Sequence, residues 1–135
     1  MVTKDQTITI GKLSAGAGVN IETIRYYERI GILPAPPRSA GGYRIYDLEY
    51  VKRLKFVRRC RELGFTLKKI RDLLRLVDSH NYSCNDVKAI TSEQLGEVRH
   101  KITDLKKLER ILKNMTAKCD RGKVPECPII EALYG

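Results

Sequence analysis

Apolar residues at Ile8, Ile10, Leu13, Ala17 and Val19, interrupted by Gly16 and Gly18, predict a short helix closed by a tight turn. Asn20 is placed to cap a second helix whose Ile21, Ile24 and Tyr27 recur at helical spacing and which Gly31 ends. Two short helices about a turn make a helix-turn-helix. The prolines in Leu33-Pro-Ala-Pro-Pro-Arg38 bar a helix interior, and Gly41-Gly42 calls for a tight turn before the β-prone strip Tyr43-Arg-Ile-Tyr46, which together read as a wing. Asp47 then caps a third helix in which Leu48, Val51, Leu54 and Val57 recur every third residue, with Phe56, Cys60 and Leu63 widening the stripe. Gly64 stops it, Thr66 opens a fourth helix over Leu67–Leu76, and Asp78–Ser83 reads as a polar hinge.

The next segment reads as one long helix from about Val87 to Thr116, with Leu95, Val98, Ile102, Leu105 and Leu112 at alternating spacings of three and four. Glu109 occupies the one expected apolar position between them. So narrow a seam suits a two-stranded coiled coil, because the C-terminal half offers nothing large for the helix to pack against. The expected fold is mainly α: a winged helix-turn-helix head over 1–78, a hinge and antiparallel coiled-coil dimerisation helix over 79–118, and a loop with a short C-terminal helix over 119–135, the loop being the metal-binding element that the cysteines below suggest.

The long helix also separates the cysteines. Cys84 precedes it, whereas Cys119 and Cys127 follow it, and 30 helical residues span roughly 45 Å. If two such helices pack in opposite directions, Cys84 of one chain arrives beside Cys119 and Cys127 of the other, giving two three-thiol sites per homodimer. Thiolates are soft ligands, and three of them suit Hg(II), whereas structural Zn(II) normally takes a fourth ligand. His80 or Asp120 could supply one, and His80 is expected to support the site from outside the ligand set rather than to coordinate. A disulfide between Cys119 and Cys127, as in a thiol redox sensor, is the rival reading. Cys60, between Phe56 and Leu63 on an apolar face, reads as buried filler.

A chain of 135 residues leaves no room for a large separate catalytic domain, and neither a Cys-x-x-Cys pair nor a histidine near Cys119 or Cys127 supports a thiol enzyme. Charge sharpens the picture. Residues 1–75 carry 16 Lys/Arg against 7 Asp/Glu, net +9, while residues 76–135 carry 10 against 9, net +1. The first half therefore has the electrostatic footprint of a polyanion binder, although the run from Lys52 to Arg61 taken alone would pass for a solvated helix face. For double-stranded DNA, the candidate contacts are Asn20, Glu22, Thr23, Arg25 and Tyr26 on the second helix, and Arg38, Tyr43 and Arg44 about the wing, with Arg58 and Arg61 in the basic run. A polar start and the absence of any membrane-length apolar run fit a cytoplasmic protein with no membrane partner. Reduced thiols in that compartment favour metal binding over a structural disulfide.

The combination of Ile10-Gly-x-Leu13, Gly18-Val19-x-x-x-Thr23-Ile24-Arg25-Tyr26-Tyr27-Glu28, Gly31-Ile32-Leu33, Gly42-Tyr43-Arg44-x-Tyr46 and Leu63-Gly64-Phe65-Thr66-Leu67 resembles the MerR family of transcription regulators. The likeness runs on to Cys127-Pro128-Ile129-Ile130-Glu131-Ala132-Leu133. Within that family the cysteine arrangement is most similar to the mercury-responsive type, with cadmium, lead and zinc sensors as near relatives. Seven residues between Cys119 and Cys127 are one fewer than is usual there and match the copper and gold sensors instead. Those Cu(I) and Au(I) sensors usually carry serine in place of Cys84, so its retention argues for a divalent ion. The resemblance implies a homodimer on a dyad-symmetric promoter operator, where metal binding distorts the DNA and lets RNA polymerase engage, turning a repressor into an activator of metal-resistance genes. It implies no enzymatic activity.

Overall fold

The computed structural model describes residues 7–119 and 128–134 and is helical throughout, apart from a wing built on two isolated β-bridges. Its elements are α1 (Ile10–Ala17), α2 (Ile21–Arg29), α3 (Leu48–Glu62), α4 (Leu67–Ser79), α5 (Cys84–Cys119) and α6 (Pro128–Tyr134). They divide into two compact units, with the boundary after Ile90.

In the first unit the caps set the helix starts. Side-chain oxygens of Thr9, Asn20 and Thr66 accept from the backbone N–H three residues on, and Asp47 accepts from Glu49, each satisfying a donor that the first turn leaves orphaned. Gly18, at φ 70°, closes α1 in the left-handed region and returns its N–H to the Ser14 carbonyl. α1 packs on α2 and α3, and α3 packs on α4. Leu13, Ile24, Leu54, Val57 and Ile70 are fully buried between them, with Ile32 and Leu33 carrying the core past the end of α2. Cys60 lies in this core, where burial pushes its thiol above the ordinary range.

The wing is a small hairpin. Ser39 N–H donates to the Tyr43 carbonyl at 2.8 Å and Gly42 N–H to the Ser39 carbonyl at 2.9 Å, which forms the turn, and Arg38 pairs with Arg44 across it. At the base, Ile8 and Tyr46 exchange both backbone hydrogen bonds at 2.7 and 3.0 Å.

α4 runs on to Ser79, so the hinge is shorter than the sequence pattern predicts. The extra turn is held by Arg53, which pairs with Asp78, and by the Ser79 hydroxyl, which donates to the Leu76 carbonyl at 2.7 Å. His80 ends the helix at φ 53°, a left-handed conformation that a non-glycine residue seldom adopts. Ser83 and Asp86 then cap α5 reciprocally: Asp86 N–H donates to Ser83 Oγ at 3.2 Å and Ser83 N–H to the Asp86 carboxylate at 3.0 Å.

In the second unit, α5 continues to Cys119 and shows an exposed apolar stripe of Leu95, Val98, Ile102, Leu105 and Leu112, with Leu108 beside Glu109. Leu108 fills the gap that a strict heptad leaves at Glu109, because an unstrained helix drifts relative to a seven-residue repeat. Ile130, Leu133 and Tyr134 of α6 are also exposed. No helix among the described residues is long and apolar enough to cross a membrane.

Candidate nucleic-acid interface and metal-ligand cysteines

α2 presents its polar face through a short N-terminal turn. Asn20 spends its side-chain oxygen on Thr23 N–H at 2.8 Å, so it serves first as a cap. Glu22 and Arg25 are exposed, Thr23 is half-buried, and Tyr26 is 41% exposed with the Arg29 guanidinium 5.7 Å above its ring. Tyr27 turns the other way into the core.

The wing brings two arginines, Arg38 and Arg44, up to Arg25 on that face. Arg25, Arg38 and Arg44 line a concavity of about 390 Å³ together with Arg29 and Glu28, and the same three line a neighbouring one of about 240 Å³ with Tyr43. Arg38 donates to the Gly42 carbonyl at 2.9 Å, which fixes it to the wing, and Tyr43 stands 76% exposed at the tip. Arg44 is anchored by an ion pair to Glu28 at 3.2 Å. Helix and wing thus share one cationic surface with the Glu28 carboxylate set into it, an arrangement suited to adjacent phosphates of a backbone.

Arg58 and Arg61 have other partners. Arg58 donates to the Ala17 carbonyl at 3.3 Å and pairs with Glu62 at 3.2 Å, while Arg61 donates to the Phe65 carbonyl at 3.2 Å. Arg58 thus closes the end of α1 and Arg61 ties α3 to the segment before α4, and both remain exposed. Two arginines that sequence reasoning did not single out hold the far end of α2: Arg53 Nε donates to the Ile32 carbonyl at 3.0 Å, and Arg71 donates to the Ile30 carbonyl. Both bonds join residues distant in sequence, which no local pattern signals.

Chains with this head fall into a known group. A profile described as MerR HTH family regulatory protein matches residues 8–77, and one described as MerR, DNA binding matches residues 51–115. The chain belongs to the MerR family. It is 46% identical to the mercuric resistance operon regulatory protein of Bacillus cereus, over 92% of this chain and 95% of that one. Among solved structures, this MerR-family chain is similar to the transcription regulator PbrR691 from Ralstonia metallidurans CH34 in complex with lead(II). That match has a TM-score of 0.80 and 40% identity, and covers 93% and 98% of the two chains. It is also similar to the dual-function transcriptional regulator MerR of Bacillus megaterium MB1 in complex with mercury(II), at TM-score 0.74 and 42% identity over 95% and 100%. The family is one of DNA-binding regulators rather than enzymes.

The cysteines occupy the two ends of one element. Cys84 is the first residue of α5, exposed and free, and Cys119 is the last. The 36 residues of α5 run without a break between these two positions. Cys127 and Asp120 lie outside the described residues. His80 lines a largely apolar cavity of about 480 Å³ with Tyr50, Phe56, Leu74 and Val77.

Proposed function

We propose that this MerR-family regulator is a homodimeric sensor of a soft divalent metal, most suited to Hg(II), that activates transcription by distorting promoter DNA. The observation that carries this reading is α5, uninterrupted from Cys84 to Cys119 with a cysteine at each end and an exposed apolar stripe between. A second copy packed in the opposite direction buries that stripe and brings Cys84 to the partner's thiols. Cys84 from one subunit and Cys119 and Cys127 from the other would hold the ion, and three thiolates are a donor set matched to a soft metal. His80 is assigned a supporting place beside it.

On this reading Arg25, Arg38 and Arg44, with Thr23, Tyr26 and Tyr43, meet the phosphates and base edges of double-stranded promoter DNA. Asn20, Glu22, Arg58 and Arg61 flank them. The metal must bind the activating arrangement more tightly than the repressing one, since equal affinity shifts no population. Ligands drawn from two subunits meet that condition, because closing the site fixes one subunit relative to the other, and RNA polymerase then engages the reshaped promoter. The lead(II) complex of PbrR691 supports Pb(II) as the second reading.

Mixed dimers test the arrangement. A Cys84→Ser subunit paired with a Cys119→Ser/Cys127→Ser subunit retains one complete site and should respond to metal, whereas either mutant homodimer should not. A transcription readout across Hg(II), Cd(II), Pb(II), Zn(II), Cu(I) and Au(I) ranks the ions, and diamide in place of metal tests the disulfide alternative. A response confined to monovalent ions that survives Cys84→Ser would overturn the divalent assignment.

A further inference from the structure

Glu28 is a carboxylate in the wrong place for a simple anion-binding surface. It sits in the last turn of α2 with its side chain about 10% exposed, beside a concavity whose other charged walls are Arg25, Arg29, Arg38 and Arg44. A negative charge so close to a phosphate path opposes DNA binding by Coulomb repulsion, and a buried carboxylate also loses hydration. Charge counting alone would predict a neutral residue here.

The contacts give a geometric reason for it. Glu28 Oε2 lies 3.2 Å from Arg44 Nε, the inner nitrogen of the guanidinium, as an ion pair, and this buried oxygen has no hydrogen-bond partner among the described residues. Arginine can be paired at Nε and still offer its outer edge to a phosphate, because its donors sit on separate nitrogens; lysine holds its three donors on one atom, which would have to lie within reach of both groups at once. The ion pair adds a tie between wing and α2 to the two bridges, the tight turn and the Arg38–Gly42 bond that define the hairpin. Beneath the ion pair, the Tyr46 ring is buried, and its hydroxyl has no hydrogen-bond partner among the described residues. Burial is the main cause that raises this phenol, and the charge of Glu28 adds to it, which places the hydroxyl in the carboxylate's field.

We propose that Glu28 is a positioning residue for DNA binding: its buried carboxylate fastens the wing to α2 through Arg44, so that Arg25, Arg38 and Arg44 meet one stretch of phosphate backbone together. This rests on the reading of the head as a DNA-binding surface. It explains a negative residue within a cationic face, since the repulsion it adds is offset by the ordering of three cations.

The test is binding of the full-length protein to a fluorescein-labelled duplex of random sequence, measured by anisotropy across a salt series. Glu28→Gln should bind about tenfold more weakly, and its salt dependence should fall by the equivalent of about one phosphate contact. Pure charge counting predicts the reverse, tighter binding with an undiminished slope, and that result overturns the proposal. In an Arg44→Ala background, Glu28→Gln should have little further effect; an equal loss there means that Glu28 acts by another route and the proposal fails. Arg44→Lys keeps the charge and avoids altering the buried carboxylate, so it serves even if Glu28→Gln does not fold. It should lose the same contact, and undiminished binding by Arg44→Lys also overturns the latch. Absence of salt-dependent binding by the unaltered protein would sink the DNA-binding reading and the latch with it, whereas normal binding by both variants sinks the latch alone.

Discussion

Arg53 grips Asp78 with both terminal nitrogens, at 2.7 and 3.1 Å, while its Nε donates to the Ile32 carbonyl. One α3 side chain thus joins the last turn of α4 to the segment that follows α2. With Arg71 on the Ile30 carbonyl, both backbone groups beyond α2 are held by guanidiniums from the helices behind it.

Asp78→Asn should therefore loosen the fold slightly and give it a flatter acid limb. The hydrogen bond from Arg53 holds the Asp78 carboxyl below its ordinary value of 3.8. A folded-state value below the unfolded one means that the pair stabilises the protein above the unfolded value, and that this contribution is lost as pH falls through the folded one. The Asp78 side chain is 56% exposed, so solvent screening limits the effect to about 0.5–1 kcal/mol at neutral pH. Urea unfolding across a pH series should show the mutant and parent converging in acid; a constant difference at every pH would contradict the assignment.

Gly18→Ala should cost more. The residue needs φ 70°, and an added Cβ would run into the Arg58 guanidinium, which donates to the neighbouring Ala17 carbonyl. Left-handed strain together with a displaced cap should lower stability by about 1–2 kcal/mol, read as a drop in Tm. Gly16→Ala, whose Cβ would meet only Val51 at van der Waals distance, should not.

The described free thiols should separate in kinetics. Cys84 is exposed, whereas Cys60 is 6% exposed with its thiol pushed up by burial. Iodoacetamide on the native protein followed by peptide mapping should label Cys84 quickly and Cys60 only after unfolding. Fast labelling of Cys60 would contradict its place in the core.

Leu105 is 63% exposed on a single chain at the middle of the α5 stripe. Leu105→Glu should shift sedimentation from dimer to monomer and abolish the metal response, while Lys106→Glu, off the stripe, should leave both intact. A dimer that survives Leu105→Glu would place the interface elsewhere.

The sequence made the helices legible because their caps and periodicities are local: Asn20, Asp47 and Thr66 each announce the turn they start, and Tyr27 and Cys60 follow the spacing of the core. The unforeseen features depend on contacts across the fold. Nothing near Arg53 in the chain signals Asp78 or Ile32, and the basic run gives no clue that Arg58 caps α1 through the Ala17 carbonyl. Glu109 read as a flaw in the seam only because a rigid repeat was assumed, when Leu108 stands one position away. The proposal that the cysteines share a site rests on the length of helix between Cys84 and Cys119, a property of the segment rather than of its neighbours.

His80 carries a last consequence. At a junction where glycine would fit without strain, the chain places a residue with far fewer backbone states, and so accepts a standing local cost of about 1 kcal/mol. The joint between α4 and α5 therefore resists swivelling more than a glycine joint would, and a twist applied at the start of α5 reaches α4 as torque instead of dissipating as slack.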